Sequence, residues 1–441
     1  MEDATWGSDC PHVHGVYIGQ SSRPFKLLSN QPVQPVPPNE GTDGGVDIAH
    51  LTFRPPFASG SYNRFVAQQI ARLPEFRQVA ISFWQGRQPS DEVANEAFLL
   101  VSEAGLSVPR RAYLSAPERI HRFFHNGIGD RKALAYLWGV QRELANLKPR
   151  LVICYDGYKY GALLRRTITW PCRLVLAQCG LSYRLPTTQA ASVYGFESFD
   201  AIWALSLASY RHDRHSLNAY IPAVTVIPNG VDTEIFSPPT DGERRESRKR
   251  WNLPEDRLVV LVLGRLVPKK GVHLALQCWH QIVSDFPNAF LWIVGDGPAD
   301  YRRHLEQLAQ ATGVRNSVRF QGSVSPQETS SCFRAADVYL FPTLASEGMA
   351  NSLIEAMACG LPCIASDDAS ALEHFAGAVV FVPDVNVEGR LLAPLRDLLA
   401  GNESRRHWGA LARARVEERF DACKIFSALR SFFTQQLLYA S

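Results

Sequence analysis

The sequence has no strong excess of either charge. Its 46 Lys and Arg stand against 43 Asp and Glu, a formal net charge of +3. A dedicated nucleic-acid binder carries a marked basic excess, so that class is excluded, and an anionic ligand has to be held by local placement of charge. There is no CxxC pair and no Cys/His zinc spacing. The nine cysteines (Cys10, Cys154, Cys172, Cys179, Cys278, Cys332, Cys359, Cys363 and Cys423) are scattered and odd in number. That pattern reads as reduced, mostly buried thiols of a cytosolic chain. No apolar run reaches the roughly 18 residues of a membrane-spanning helix. Residues 1–30 lack a basic segment followed by an apolar one, so no secretory signal is expected. What is present is ordinary for a folded protein: 46% hydrophobic and 20% charged residues, enough for sizeable cores.

At 441 residues the chain predicts two or three domains. Residues 1–45 are rich in Pro, Gly, Ser, Asn and Gln and read as a flexible tail. From Val46 onward, short apolar runs alternate with longer stretches of helical period. The runs are 46–51, 79–83, 151–154, 173–177, 201–205, 224–227, 257–263, 290–294, 318–320, 338–341, 362–365 and 378–382. Continuous rather than alternating apolar strands are buried on both faces, the mark of parallel sheets covered by helices. Twelve strands are many for one sheet, and the rhythm breaks after Pro228-Asn229-Gly230. A first domain over 46–225 and a second domain over 226–410 follow, with a linker near 226–240 and a charged helix at 241–251. The stretch 404–437 has helical period, and the end of the chain, 411–441, is expected to cross back over the first domain. The expected class is α/β: two doubly wound parallel-sheet domains facing across a cleft, with ligand at the C-terminal strand edges.

Two segments carry chemistry. In the first, Ser346-Glu347-Gly348-Met349-Ala350-Asn351-Ser352-Leu353-Ile354-Glu355 follows a strand and opens a helix. A helix start presents unpaired N–H groups and the positive dipole end, which suits phosphate. Glu347 and Glu355 bracket it as acceptors for hydroxyls. The alternative is local: Ser352-x-x-Glu355 is also a capping box, which needs no ligand. In the second, Gly264-Arg265-Leu266-Val267-Pro268-Lys269-Lys270-Gly271 leaves the strand at 257–263. Arg265 and Lys270 in a glycine-bounded loop suit a phosphate, and they suit a solvated basic turn equally well. Gly295-x-Gly297 follows a strand, but Asp300 stands where a dinucleotide fingerprint needs its third glycine, so a tight turn is expected there.

Taken together these residues resemble glycosyltransferase family 4, the group 1 retaining transferases of GT-B fold. Four segments match in order: Val226 to Asp232 with Phe236; Gly264-Arg265 with Lys270-Gly271; Val294 to Pro298; and Glu347 with Glu355 followed by Ala356-Met357-Ala358-Cys359-Gly360-Leu361-Pro362. They cover roughly residues 200–420; the first half matches only in outline. The resemblance implies two Rossmann-like domains and transfer of a sugar from a nucleotide-sugar, UDP-linked by family frequency, with retention of configuration. The acceptor would be a glycan, a lipid-linked glycan or a small molecule. Arg265 and Lys270 would neutralise the leaving diphosphate, taking the place of a metal ion. Glu347 would hold sugar hydroxyls, the amides from Gly348 through Met349, Ala350 and Asn351 to Ser352 would face sugar and phosphate, and Glu355 would take the ribose hydroxyls. No Asp-x-Asp occurs, which fits a transferase needing neither metal nor cofactor.

In the first domain Gly60 is the counterpart of the family's donor-facing glycine loop. Where members of the family carry a His that contacts the donor sugar, this chain has Cys179, with Gln178 beside it as a substitute hydrogen-bonding group. Asp156 is a further carboxylate for acceptor hydroxyls. The stretch 109–132 interleaves arginines with Phe123 and Phe124; it suits the anionic inner face of a membrane, and a solvated helix face as well. The expected location is the cytoplasm, peripheral at that membrane, with no nucleic-acid partner. Two other readings share the architecture: a sugar-nucleotide 2-epimerase, and a non-catalytic nucleotide-sugar-binding subunit, the latter motivated by Cys179.

Overall fold

The computed structural model describes residues 45–52, 61–83, 97–101, 131–157, 160–179, 196–211, 224–344, 349–387 and 389–440, with two short strands at 17–18 and 26–27. Those two, β1 (Tyr17–Ile18) and β2 (Lys26–Leu27), pair antiparallel within the stretch expected to be a tail. The rest of that stretch, and 109–130 of the basic-aromatic segment, lie outside the described residues.

Among the described residues, thirteen further strands form two parallel sheets. The first contains β3 (Ile48–Thr52), β4 (Gln78–Phe83), β5 (Phe98–Val101), β6 (Leu151–Tyr155), β7 (Arg173–Gln178), β8 (Ala201–Ala204) and β9 (Val224–Val226), in the order β5-β4-β3-β6-β7-β8-β9. The second contains β10 (Leu258–Leu263), β11 (Ala289–Val294), β12 (Val318–Gly322), β13 (Val338–Phe341), β14 (Cys363–Ser366) and β15 (Val380–Val382), in the order β12-β11-β10-β13-β14-β15. All twelve apolar runs lie on these strands. β3, β6, β11 and β13 are buried along their whole length, as strands covered on both faces must be. β5 has no counterpart among the expected strands; it is an edge strand of four residues, too short to stand out by pattern.

Helices cover both sheets: α1 (Ser61–Arg72), α2 (Arg131–Leu147) and α3 (Gly161–Thr167) on the first; α4 (Asp241–Arg250), α5 (Val272–Asp285), α6 (Ala299–Ala311), α7 (Thr329–Ala335), α8 (Asn351–Ala358), α9 (Ala369–Phe375), α10 (Leu392–Ala400) and α11 (Asn402–Arg419) on or beside the second; and α12 (Ala422–Leu438). Helix α4 starts where its charge pattern demands. Thr240 caps it reciprocally with Glu243, and Arg248, Lys249 and Arg250 complement the dipole at its end. Arg248 is buried, so its charge needs a partner. Asp337 supplies it at 2.6 Å while also accepting from Arg244 and from the Val259 N–H.

The last stretch is two helices rather than one. The break falls at Phe420 and Asp421, where Asp421 caps α12 by accepting from Cys423 N–H. The linker stitches the break: Val231 N–H donates to Phe420 O, and Ala422 N–H donates to Val231 O, both at 2.9 Å. Helix α12 then lies against the first sheet. Phe426 meets Phe65 at 5.7 Å, Phe432 and Phe433 meet Trp203 at 6.3 and 6.4 Å, and Phe433 meets Phe76 at 5.9 Å. All three phenylalanines are buried, each contributing about 1.5–3 kcal/mol relative to exposure, so the core is continuous from one sheet to the other. Among the described residues no helix is long and apolar enough to cross a membrane.

Candidate functional site

In a doubly wound sheet, ligands bind where the strand order reverses, beyond the C-terminal strand ends. In the second sheet that point lies between β10 and β13. The loops leaving those two strands are 264–271, with Arg265 and Lys270, and 342–350, which leads into α8. The sequence places both cation loop and helix start there, and the backbone explains how they are held together. Gly271 has φ of +68° and lies so close to loop 342 that a Cβ would sit 1.8 Å from Pro342 O. The carbonyl of Lys269 accepts from Leu344 N–H at 2.8 Å and from the Thr343 hydroxyl at 3.2 Å. Only a glycine lets the two loops approach so closely.

Arg265 is exposed, while Lys270 is half-buried with its ammonium 5.2 Å from the centre of the Phe341 ring. That cation–π contact leaves the charge at the strand edge. Gly295 and Gly297 form the tight turn expected of them. A Cβ on either would strike the carbonyl of Gly264 or Leu266, and Leu266 N–H donates to Asp296 O at 2.9 Å. The two glycines are therefore the bed on which the cation loop rests.

The start of α8 differs from one of its sequence readings. The capping box of Ser352 and Glu355 does not form. The N-cap is Ala350, no side chain caps it among the described residues, and Ser352 is already inside the helix. Its hydroxyl pairs with Tyr339 OH at 2.9 Å instead. Met349 and Ala350 are buried. Asn351 accepts from the Asn229 side-chain amide at 2.9 Å, bringing the interdomain linker to the helix start. Glu355 is half-buried one turn along. Glu347, Gly348 and Gly60 lie outside the described residues.

In the first sheet the order reverses between β3 and β6. Asp156 follows β6 at φ of +49°, is exposed, and its carboxylate accepts from Cys179 N–H at 2.7 Å. Asp156 and Cys179 thus meet at the sheet edge. Burial, with the Asp156 carboxylate beside it, raises the Cys179 thiol well above its usual range, so it stays protonated. Gln178 ends β7 and is buried, at 4% exposure. Behind them a buried chain runs from Gln78 through His50 to Tyr155, at 2.9 and 3.1 Å, and from Tyr155 to Gln69 at 3.2 Å. It carries no sequence signal, because its bonded pairs are 28 to 105 residues apart.

The family model of glycosyl transferases, group 1, matches residues 243–415. A GDP-mannose-dependent monoacylated alpha-(1-6)-phosphatidylinositol monomannoside mannosyltransferase of Corynebacterium glutamicum is 30% identical over 224 residues, 49% of this chain and 58% of that protein. A GDP-mannose-dependent alpha-(1-6)-phosphatidylinositol monomannoside mannosyltransferase of Mycolicibacterium smegmatis is 33% identical over 225 residues, 47% of this chain and 58% of that protein. The matches thus span under two thirds of these relatives. Among solved structures, sucrose-phosphate synthase from Thermosynechococcus elongatus superposes with a TM-score of 0.72 at 21% identity, over 90% of this chain and 100% of that one. WaaG, a glycosyltransferase involved in lipopolysaccharide biosynthesis, superposes with a TM-score of 0.66 at 18% identity, over 88% and 99%. At such identities these likenesses speak for the fold: residues 243–415 match the model of group 1 glycosyl transferases, within a chain of GT-B fold.

Proposed function

We propose that this protein is a retaining glycosyltransferase that moves a sugar from a nucleotide-sugar to an acceptor without a metal ion. The observation that carries this reading is the lock between the cation loop 264–271 and the loop entering α8. A diphosphate seated there meets Arg265 and Lys270 on one side and helix N–H groups on the other. Charge on a departing nucleoside diphosphate is stabilised by groups already in place. Glu355 takes the ribose hydroxyls, Glu347 those of the sugar, and Gly60 lets the first domain approach the phosphates. Asp156, holding the backbone at Cys179, faces the acceptor side.

The relatives named above are GDP-mannose-dependent and act on phosphatidylinositol mannosides. GDP-mannose therefore displaces UDP-sugars as the first donor to test, and an inositol-containing glycolipid is the first acceptor. Such an acceptor supports peripheral contact with a membrane. The Cys179 departure favours one second reading, a subunit that binds a nucleotide-sugar without turning it over.

The test is release of nucleoside diphosphate from GDP-, UDP- and ADP-sugars, with and without lipid extract and with EDTA. The expected result is acceptor-dependent release from one donor, insensitive to EDTA, and reduced about 10²–10³-fold in Lys270→Ala. Binding of a nucleoside diphosphate with no release from any donor would favour the non-catalytic subunit, and Cys179→His would then be the first variant to make.

A further inference from the structure

Helix α9 belongs to the second sheet, yet its polar side chains grip the first. The Glu373 carboxylate accepts from Leu207 and Ala208 N–H at 2.8 and 2.6 Å, capping the helix that starts at residue 207 from across the domain boundary. The hydroxyls of Ser206, Ser209 and Ser370 form a closed ring at 2.7–3.0 Å. His374 Nε2 lies 2.9 Å from Leu205 O, at the end of β8. A carbonyl only accepts, so Nε2 carries the hydrogen. Burial, reinforced by nearby Arg419, brings the His374 pKa down to about 3, so the ring is neutral and Nδ1 is an acceptor.

That Nδ1 has no partner among the described residues, and neither has the Ser366 hydroxyl. Both residues are buried, at 1% and 6% exposure. Both line one small cavity of about 10 Å³, whose wall also includes Met349 and Ala350 at the entry to α8. Thr343 and Asp368 also belong to that wall. An acceptor and a donor thus belong to the wall of an otherwise mostly apolar space close to the roughly 10–15 Å³ that one water molecule needs.

We propose that this cavity binds a single water molecule, which donates to His374 Nδ1 and accepts from the Ser366 hydroxyl. Through it His374 becomes a positioning residue, joining the end of β8 in the first domain to the Met349–Ala350 wall of the donor site. The positioning half rests on the function proposed above; the water site does not.

A crystal structure of the full chain, at a resolution that orders buried water, tests the site. The expected result is one density peak within hydrogen-bond distance of both atoms. A dry cavity, or a direct Ser366–His374 hydrogen bond, overturns it. Ser366→Val fills the space with methyl groups and leaves the contacts to 205–209 intact, and Ser366→Ala is the milder companion should the valine variant not fold. In either, GDP and UDP affinity, measured by calorimetry, is expected to fall about two- to tenfold, the scale of one lost hydrogen-bond link. Unchanged affinity overturns the positioning role. A wild-type chain that binds no nucleoside diphosphate removes the proposed function and the positioning role with it, while the density still decides the water.

Discussion

Replacing Gly271 by Ala tests whether the cation loop and the entry to α8 are one unit. Two penalties act at once. A left-handed backbone at a non-glycine residue costs about 1–2 kcal/mol. In addition, the new Cβ would lie 1.8 Å from Pro342 O, which is backbone and has no flexible end to yield. One of the two loops must move. Gly313 provides the control, since it has φ of +72° and nothing within 4 Å of the place an alanine methyl would take. Gly313→Ala bears the conformational penalty alone, and lowers the melting temperature of the second domain by roughly 2–8 °C. Gly271→Ala is expected to fall further and, unlike the control, to lose most of its affinity for a nucleoside diphosphate. Scanning calorimetry and isothermal titration on the two variants give both readouts. Equal melting temperatures for the two, with nucleotide affinity intact in Gly271→Ala, would refute the claim that this close approach builds the site.

Asp337→Ala strips buried Arg248 of its carboxylate and is expected to cost about 3 kcal/mol or more, read by urea unfolding. By contrast, Arg430→Ala removes an exposed pair with Glu75 and should shift stability by less than about 1 kcal/mol in the same assay. Acidification should destabilise the fold through its buried histidines. Burial, partly offset by the Gln78 hydrogen bond, brings His50 down to about 4, and His374 lies at about 3. The unfolded chain takes up protons near pH 6.5 while the folded one does not, so stability is lost as pH falls from there towards 4. The expected loss is about 2 kcal/mol per histidine by pH 5. Unfolding midpoints that do not change between pH 7 and pH 5 would contradict it.

The strands were legible because they are buried on both faces and so read as unbroken apolar runs. The start of α4 was legible because Thr240 and Glu243 are three residues apart and solve a local problem, the unpaired N–H groups of a helix end. Local logic failed where a distant group competes. Ser352 and Glu355 have the spacing of a cap, but Tyr339 takes the serine hydroxyl and the chain enters the helix at Ala350. Helical period runs through 404–437, and the break at Asp421, marked locally only by that aspartate's cap, is fixed where Val231, nearly two hundred residues earlier, pairs with the backbone. Gln178 reads as a polar group at a strand end, and only the packing around β7 buries it.

By itself, then, the sequence determined the two parallel sheets, the strand ends from which the site loops leave, and the residue types those loops carry. These depend on burial pattern and on chemistry within a few neighbours. The tertiary structure alone decided which loops touch, which polar groups are buried, and how α9 and α12 bind one domain to the other. Those contacts join residues far apart in the chain, such as Ser206 with Ser370, and their energy comes from satisfying buried polar atoms that no local pattern announces.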